Sequence, residues 1–578
     1  MTRRLRILSQ TLFFTLFLAL LTQTQYQGRD ELGLPVKLWL EIDPLHFLST
    51  LLASGSVPGL LWLSLITLAL TLVLGRFFCG WICPMGVMIQ LAQKLPLRRR
   101  PDVIRTNRWR RSQTIKFYLL AGLLAAALFG AQWSGLFDPI SIAVRSLGLV
   151  VLPGAEMGLR GLFDTAYHFN PLGVSRFSEP VFGWLQGRVI HFAQPRFHQA
   201  FLLGTILAAI LAASFVRHRF WCRVLCPLGA LLGTFARFGL FRIRQRDGCK
   251  DCHLCTFHCQ GAAEPEIRGG WRPSECLVCG NCTAACGQHG LAMGFARPRA
   301  LLPPAAGGPA PAPRALRAQA PGGPAPLPRT AESPAPAAAA PSPAKPASPV
   351  PAWSSAFAGA QVRRRHLLLA AAAGVAGVPM LRLPLSPARA DPALIRPPGA
   401  LPEREFLERC VRCGECMKVC LTNGLQPTLL EAGLEGIWTP RLVPRIGYCE
   451  FHCTLCGQVC PTQAIRRLEP EEKKRVRIGL AAIDASRCLP FAFQTSCIVC
   501  EEHCPLPKKA IWFREAAVVT AAGETRVVKQ PQVDIELCTG CGICETKCVV
   551  QDLPAIRVTS ANEDRNPHNR VLLEEAAP

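Results

Sequence analysis

The chain has 578 residues, 28 of them cysteine, with 50% hydrophobic and 18% charged residues and a formal net charge of +25. It is too long for a small secreted disulfide scaffold, and its mean hydropathy of +0.23 suits a membrane portion joined to soluble parts. The positive charge would suit nucleic acid, but many arginines flank apolar stretches, where they set membrane orientation, and nucleic acid is set aside as a partner.

Residues 1–240 read as a four-span membrane domain. The apolar segments Ile7–Thr22, Val57–Gly75, Ile115–Trp133 and Ala200–Val216 each approach the ~20 residues that cross a bilayer. "MTRR" precedes the first and "LRRRPDVIRTNRWRRSQTIK" separates the second from the third. Positive flanks stay inside, so the N-terminus, the 97–114 loop and the chain after the fourth span are expected inside, with 134–199 as an outer loop.

Residues 241–296 form a compact unit with "CKDCHLCTFHC" (Cys249, Cys252, Cys255, Cys259) and "CLVCGNCTAAC" (Cys276, Cys279, Cys282, Cys286). Both are C-x2-C-x2-C-x3-C. Three close thiolates wrap one 4Fe–4S cluster and the fourth cysteine serves the neighbouring one. The expected quartets are Cys249, Cys252, Cys255 with Cys286, and Cys276, Cys279, Cys282 with Cys259. Zinc asks for four ligands rather than a repeated triplet plus one, and the CxxCH of a haem attachment site is embedded in the longer pattern.

A Pro/Ala-rich stretch, 297–360, cannot bury a core and reads as a disordered linker. At 361–390, "VRRRHLLLAAAAGVAGVPMLRLPLSPARA" resembles a twin-arginine export signal: Arg364 and Arg365, a weakly apolar core, then Ala388-Arg389-Ala390. Such signals normally open a chain. A domain loaded with clusters must cross the membrane folded, which gives an internal signal its reason. Leu367–Leu385 is expected either to stay as a fifth span or to be cut off after Ala390.

Residues 391–578 carry four further groups: Cys410, Cys413, Cys416, Cys420; Cys449, Cys453, Cys456, Cys460; Cys488, Cys497, Cys500, Cys504; and Cys538, Cys541, Cys544, Cys548. A nested pairing is expected, first group with fourth and second with third, Cys420 serving the fourth and Cys460 the third. Six groups imply six 4Fe–4S clusters. The fold class expected is an α-helical membrane domain of four spans, with a candidate fifth, plus two small α+β bacterial-ferredoxin-type domains.

Four cysteines remain, in "FFCGWICPMG" (Cys79, Cys83) and "FWCRVLCPLGA" (Cys222, Cys226). Both are C-x3-C-P, at the inner ends of spans two and four. Positions i and i+4 share a helix face, so the two motifs can present four thiolates to a further cluster, a metal, or redox disulfides. Asp138 and Arg145 in "FDPISIAVRSLG", with His191 and His198, are candidates to contact a quinol; His168 lies in the same outer loop.

On both C-x3-C-P motifs, the spans, "DPISIAVRSLG" and the two-group unit, residues 1–296 resemble NapH-type membrane ferredoxins, and NosR-like and RdxA-like proteins share the C-x3-C-P pattern. On "LIRPPGALPEREFLERCVRCGECMKVC", "CTGCGICETKCVVQDLPAIRV" and the twin-arginine leader, residues 361–560 resemble NapG/MauM ferredoxins. The resemblance implies a fusion that takes electrons from the membrane quinol pool to a soluble periplasmic reductase or cytochrome. It would sit in a bacterial inner membrane, with the first ferredoxin unit cytoplasmic and the second periplasmic. The alternative is a redox or metal-handling assembly factor of RdxA/NosR type. A redox sensor is disfavoured because no signalling domain is visible.

Overall fold

The computed structural model describes residues 2–26, 28, 30–33, 37–57, 59–95, 103–169, 175–186, 190, 195–245, 252–265, 271–287, 290–295, 362–382, 391–519, 523 and 525–571. The linker at 297–360, Cys249, His191 and Ala388–Ala390 lie outside these residues.

The N-terminal half is built on a repeat. An Asp-Pro pair opens helix Pro44–Ser54 and again helix Pro139–Ser146, and a Cys-Pro pair opens helix Pro84–Ala92 and again helix Pro227–Ala236. Proline at the first helical position costs no hydrogen bond and presets φ, while the preceding side chain caps free N–H groups. Asp43 accepts from Leu45 N, Asp138 from Ile140 N and Ser141 N, and Cys226 Sγ from Gly229 N. Between the two Pro-initiated helices of each repeat runs an apolar helix, Ser64–Leu74 or Ala200–Val216.

The span expectation is corrected. Among the described residues two helices are long and apolar enough to cross a bilayer, Arg4–Gln23 and the 31-residue run Pro139–Phe169. The second, third and fourth expected spans contain helices of 11, 14 and 17 residues, about 16, 21 and 26 Å long at ~1.5 Å per residue. The second is shortened at its start, where Gly59–Leu63 forms a 3-10 segment and the α-helix begins only at Ser64, and the third at its end, where Gly130 (φ 81°) follows Ile115–Leu128. The expected outer loop is instead largely helical, because Asp138-Pro139 starts a helix that continues through a π turn at Leu147–Val151 into Leu152–Phe169.

The first ferredoxin unit packs at one end of this half. Arg76 Nη1 donates to Ser274 O (2.8 Å), Trp81 Nε1 to Val278 O (3.1 Å) and Lys116 Nζ to Glu275 Oε2 (2.5 Å). The unit is closed by antiparallel strands β1 (Phe241–Gln245) and β2 (Leu291–Phe295). A Cβ on Gly80 would meet Leu277 O at 2.2 Å, so only glycine permits this approach.

The C-terminal domain packs at the other end. Arg145 Nη1 donates to Arg412 O (2.7 Å), Lys418 Nζ to Thr24 O (3.0 Å), Asn423 Nδ2 to Arg196 O (2.7 Å) and Gln199 Nε2 to Pro427 O (3.0 Å). Its antiparallel pairs are β3 (Leu425–Pro427) with β4 (Pro440–Leu442), β5 (Leu480–Ile483) with β8 (Ile556–Thr559), and β6 (Ile511–Val519) with β7 (Thr525–Val533).

The signal-like segment forms helix Arg364–Arg382, about 28 Å long. It runs parallel to Ile115–Leu128: Tyr118 meets His366 edge-on, Gly122 lies against Ala370 and Gly374, and Ala126, Ala131 and Val378 share one apolar cluster. Its far end is pinned to the C-terminal domain by Arg382 with Glu435 (3.0 Å). A Cβ on Gly374 would meet Gly122 O at 2.2 Å. Gly374→Leu should therefore separate the two helices, destabilising the fold by about 1–3 kcal/mol. A lower unfolding temperature and faster proteolysis after Gly122 are the expected readouts.

Candidate iron–sulfur sites

Each cysteine group follows the same local plan: a loop carrying the first thiols, then a short helix such as Glu415–Lys418, Leu455–Gln458, Val499–Glu502 or Ile543–Lys547 that turns the third inward. In the C-terminal domain these loops surround four pockets, each lined by four cysteines. Site A has Cys410, Cys413, Cys416 and Cys460. Site B has Cys420, Cys449, Cys453 and Cys456. Site C has Cys504, Cys538, Cys541 and Cys544. Site D has Cys488, Cys497, Cys500 and Cys548.

The nested pairing is thus corrected. The first group exchanges its fourth cysteine with the second, and the third with the fourth. Adjacent groups fold back on one another: Cys420 and Cys460 cross between neighbouring loops, as do Cys504 and Cys548. The sites form a line. A and B are tied by the exchange, B meets C where Cys449 N donates to Cys541 O (2.8 Å), and C and D are again tied by exchange. Site A faces the N-terminal half, with Cys413 packed into the same core as Phe78, Cys79 and Ile140.

Burial followed by neighbouring thiols pushes Cys541 and Cys500 up to about 12 and Cys488 to about 11. Burial does the same to Cys453, also about 12, with Cys449 and Cys420 adding to it. Four converging buried thiolates repel one another unless they share a cationic centre, so the donor sets fit sulfur-ligated iron.

In the first unit Cys259 converges with Cys276, Cys279 and Cys282, as the spacing predicts, and Cys276 is pushed to about 12 by burial and then Cys279. Cys255 is buried against Cys282, Cys252 is exposed, and Cys286 is half-buried. Their expected partner Cys249 is outside the described residues.

The C-x3-C-P cysteines also come together. Cys79, Cys83, Cys222 and Cys226 are all buried in one core cluster, and burial followed by the Cys222 and Cys79 charges pushes Cys226 well up. Arg76 Nη2 approaches Cys79 Sγ at 3.9 Å and Arg219 Nη1 donates to Cys79 O (3.1 Å), so the quartet sits in a basic frame. Leu277 and Cys279 of the first unit pack against this core.

The quinol candidates separate. Asp138 is fully buried, while Arg145 lies 4.3 Å over the Trp438 ring beside site A. His198 is exposed, its backbone N donating to Gln426 Oε1 (3.2 Å) at the seam between the halves, and His168 is exposed at the end of its helix. Sequence reasoning missed Asp43 and His46, which meet Asp138 in the core: His46 Nδ1 is 3.5 Å from Asp43 Oδ2 and Nε2 3.6 Å from Asp138 Oδ2. The repeated Asp-Pro pair was the signal available for them.

Against curated proteins, the chain is 38% identical over 223 residues to the methylamine utilization ferredoxin-type protein MauM of Methylorubrum extorquens, covering 36% of this chain and 96% of that one. The chain belongs to the MauM/NapG ferredoxin-type family. Ferredoxin-type protein NapG of Escherichia coli is 38% identical over 201 residues, 34% of this chain and 84% of NapG. An uncharacterized protein of Methanocaldococcus jannaschii is 26% identical over 249 residues, 42% of this chain and 82% of that protein. The family model described as 4Fe-4S binding domain matches twice, at residues 56–101 and 199–246, each match enclosing one C-x3-C-P motif. No solved structure matches.

The site pairing is open to a direct count. Cys420→Ser and Cys453→Ser each remove a ligand of site B, so the double variant should lose about four irons per chain. A loss near eight by iron assay would restore the nested scheme.

Proposed function

We propose that this chain is a membrane-bound electron-transfer protein, a NapH-type half fused to a MauM/NapG-type half, that takes electrons from quinol to a soluble periplasmic reductase or cytochrome. The observation that supports the reading is the series of cysteine quartets: in the first unit, where Leu277 and Cys279 pack on the core that holds the C-x3-C-P quartet, and in the C-terminal domain, where Cys413 of site A joins that same core and B touches C. Clusters held there would supply reversible one-electron storage, and the protein tunes each potential through burial and hydrogen bonds to sulfur. The ligands are the twenty-four cysteines of the six groups, with Cys79, Cys83, Cys222 and Cys226 as a seventh station. The two matches to a 4Fe-4S binding model over the C-x3-C-P segments favour a cluster at that station over redox disulfides.

Membrane embedding is supported by the exposed surface of the N-terminal half and of helix Arg364–Arg382. Leu8, Leu12, Trp62, Ile66, Phe201 and Leu368 are all more than half exposed, which is costly in water and suits an acyl-chain environment. The N-terminal half is read as multi-pass, several of its helices being shorter than a full span. The first unit is read as cytoplasmic and the C-terminal domain as periplasmic, on opposite ends of helix Ile115–Leu128. Arg145, stacked on Trp438 next to site A, is the best-placed residue to meet quinol; Asp138, His191 and His198 complete the candidate set.

Two measurements test this. Anaerobic protein mixed with a quinol analogue should lose its cluster absorbance near 400 nm; if the oxidised spectrum persists, the quinol reading fails and the metal-handling alternative, centred on the C-x3-C-P thiols alone, is preferred. Because helix Arg364–Arg382 packs along Ile115–Leu128 and is pinned to Glu435, the C-terminal domain should stay tethered. An immunoblot of a C-terminal tag should show the whole 63.0 kDa chain, and a short fragment beginning near Asp391 would reject the tether.

A further inference from the structure

We propose that Asp43, His46 and Asp138 hold a divalent cation of the zinc or manganese class, a site separate from every cysteine quartet. The three side chains are fully buried, and one ligand atom from each lies within 4.8 Å of the others. They come from the two equivalent arms of the repeat, Asp43 and Asp138 each standing immediately before the proline of an Asp-Pro helix. The repeat therefore brings two carboxylates face to face at one end of the N-terminal half, as it brings two cysteine pairs together at the other.

The donors are prepared in the way metal ligands are. Asp43 is oriented by Leu45 N on Oδ1, Asp138 by Ile140 N and Ser141 N on Oδ2, and His46 by Ser141 Oγ, 3.1 Å from Nε2. Outer hydrogen bonds of this kind fix ligand direction. Each residue then keeps one buried atom without a hydrogen-bond partner: Asp43 Oδ2, His46 Nδ1 and Asp138 Oδ1. The ion-pair contacts of both carboxylates are with His46, at 3.5 and 3.6 Å. The 3.5 Å contact joins two of these buried atoms, Asp43 Oδ2 and His46 Nδ1, and is the spacing of two ligands around an ion bound at about 2.1 Å, whereas the 3.6 Å contact is made by Nε2 on the other side of the ring.

Charge points the same way. Two buried carboxylates beside one imidazole leave net negative charge in a dry core, which is strongly unfavourable unless neutralised. A shared proton would relieve that pair but can join only two of the three inward-facing atoms. A dication satisfies all three at once. One imidazole with two carboxylates is a nitrogen–oxygen donor set suited to zinc or manganese and distinct from the thiolates that take iron–sulfur clusters.

The test is metal analysis of the full chain, purified anaerobically from cells supplied with zinc and manganese, by mass spectrometry alongside iron and acid-labile sulfide. The wild type should carry about one zinc or manganese per chain that survives chelator. His46→Gln, and separately Asp43→Asn with Asp138→Asn, should carry less than a tenth of that with unchanged iron; asparagine still caps a helix N-terminus, so the caps survive while the charge goes. Wild-type protein without zinc or manganese overturns the proposal, whether the site is empty or holds a proton that shows as a carboxyl infrared band lost in Asp43→Asn. Metal retained in both variants also overturns it. None of these readouts depends on quinol oxidation, so the two proposals fail separately.

Discussion

The structure turns on the mutual repulsion of sulfur held in fours away from water. Each quartet is unfavourable as bare thiolates and becomes favourable around an inorganic centre, so loading and folding of the C-terminal domain are coupled. The exchange of one cysteine between adjacent groups makes that coupling spread: site A cannot be completed without the loop that builds site B, nor C without D. The apolar core of this domain is threaded between the quartets, with Leu455, Val459, Leu480 and Ile556 packed among the cysteines.

The N-terminal half solves a different problem with duplicated parts. An Asp-Pro helix, an apolar helix and a Cys-Pro helix occur twice, and both copies converge on the same core. Convergence at one end collects four thiols within a basic frame of Arg76 and Arg219; at the other it collects two carboxylates and a histidine. The first ferredoxin unit and the C-terminal domain then attach to opposite ends of this duplicated body.

What the sequence made legible was whatever depends on short spacing. The C-x2-C-x2-C-x3-C groups and the C-x3-C-P pairs announce themselves because ligand triplets are local. Which group lends its fourth cysteine to which is a tertiary matter, and the nested expectation failed because consecutive groups fold back directly on each other. Span lengths were overread because a hydropathy window ignores backbone geometry, such as the 3-10 segment Gly59–Leu63 before the second helix and the break at Gly130 after the third. The helix after Pro139 was underread although its run is apolar enough to cross a bilayer; its charged residues Arg145 and Glu156 are both buried. Asp43 and His46 read as an ordinary helix start; only a second Asp-Pro pair across the fold gives them company.

The seam between the two halves is made mainly of side chains donating to main-chain carbonyls: Arg145 to Arg412, Lys418 to Thr24, Asn423 and Gln426 to Arg196, Gln199 to Pro427, and Arg412 to Gln132. Carbonyl acceptors carry no net charge, so mobile counterions have little to screen there. Rising ionic strength should leave this internal joint closed while it releases any external protein held by surface charge. Salt can thus strip loosely held surface contacts without parting the two halves at the joint beside site A.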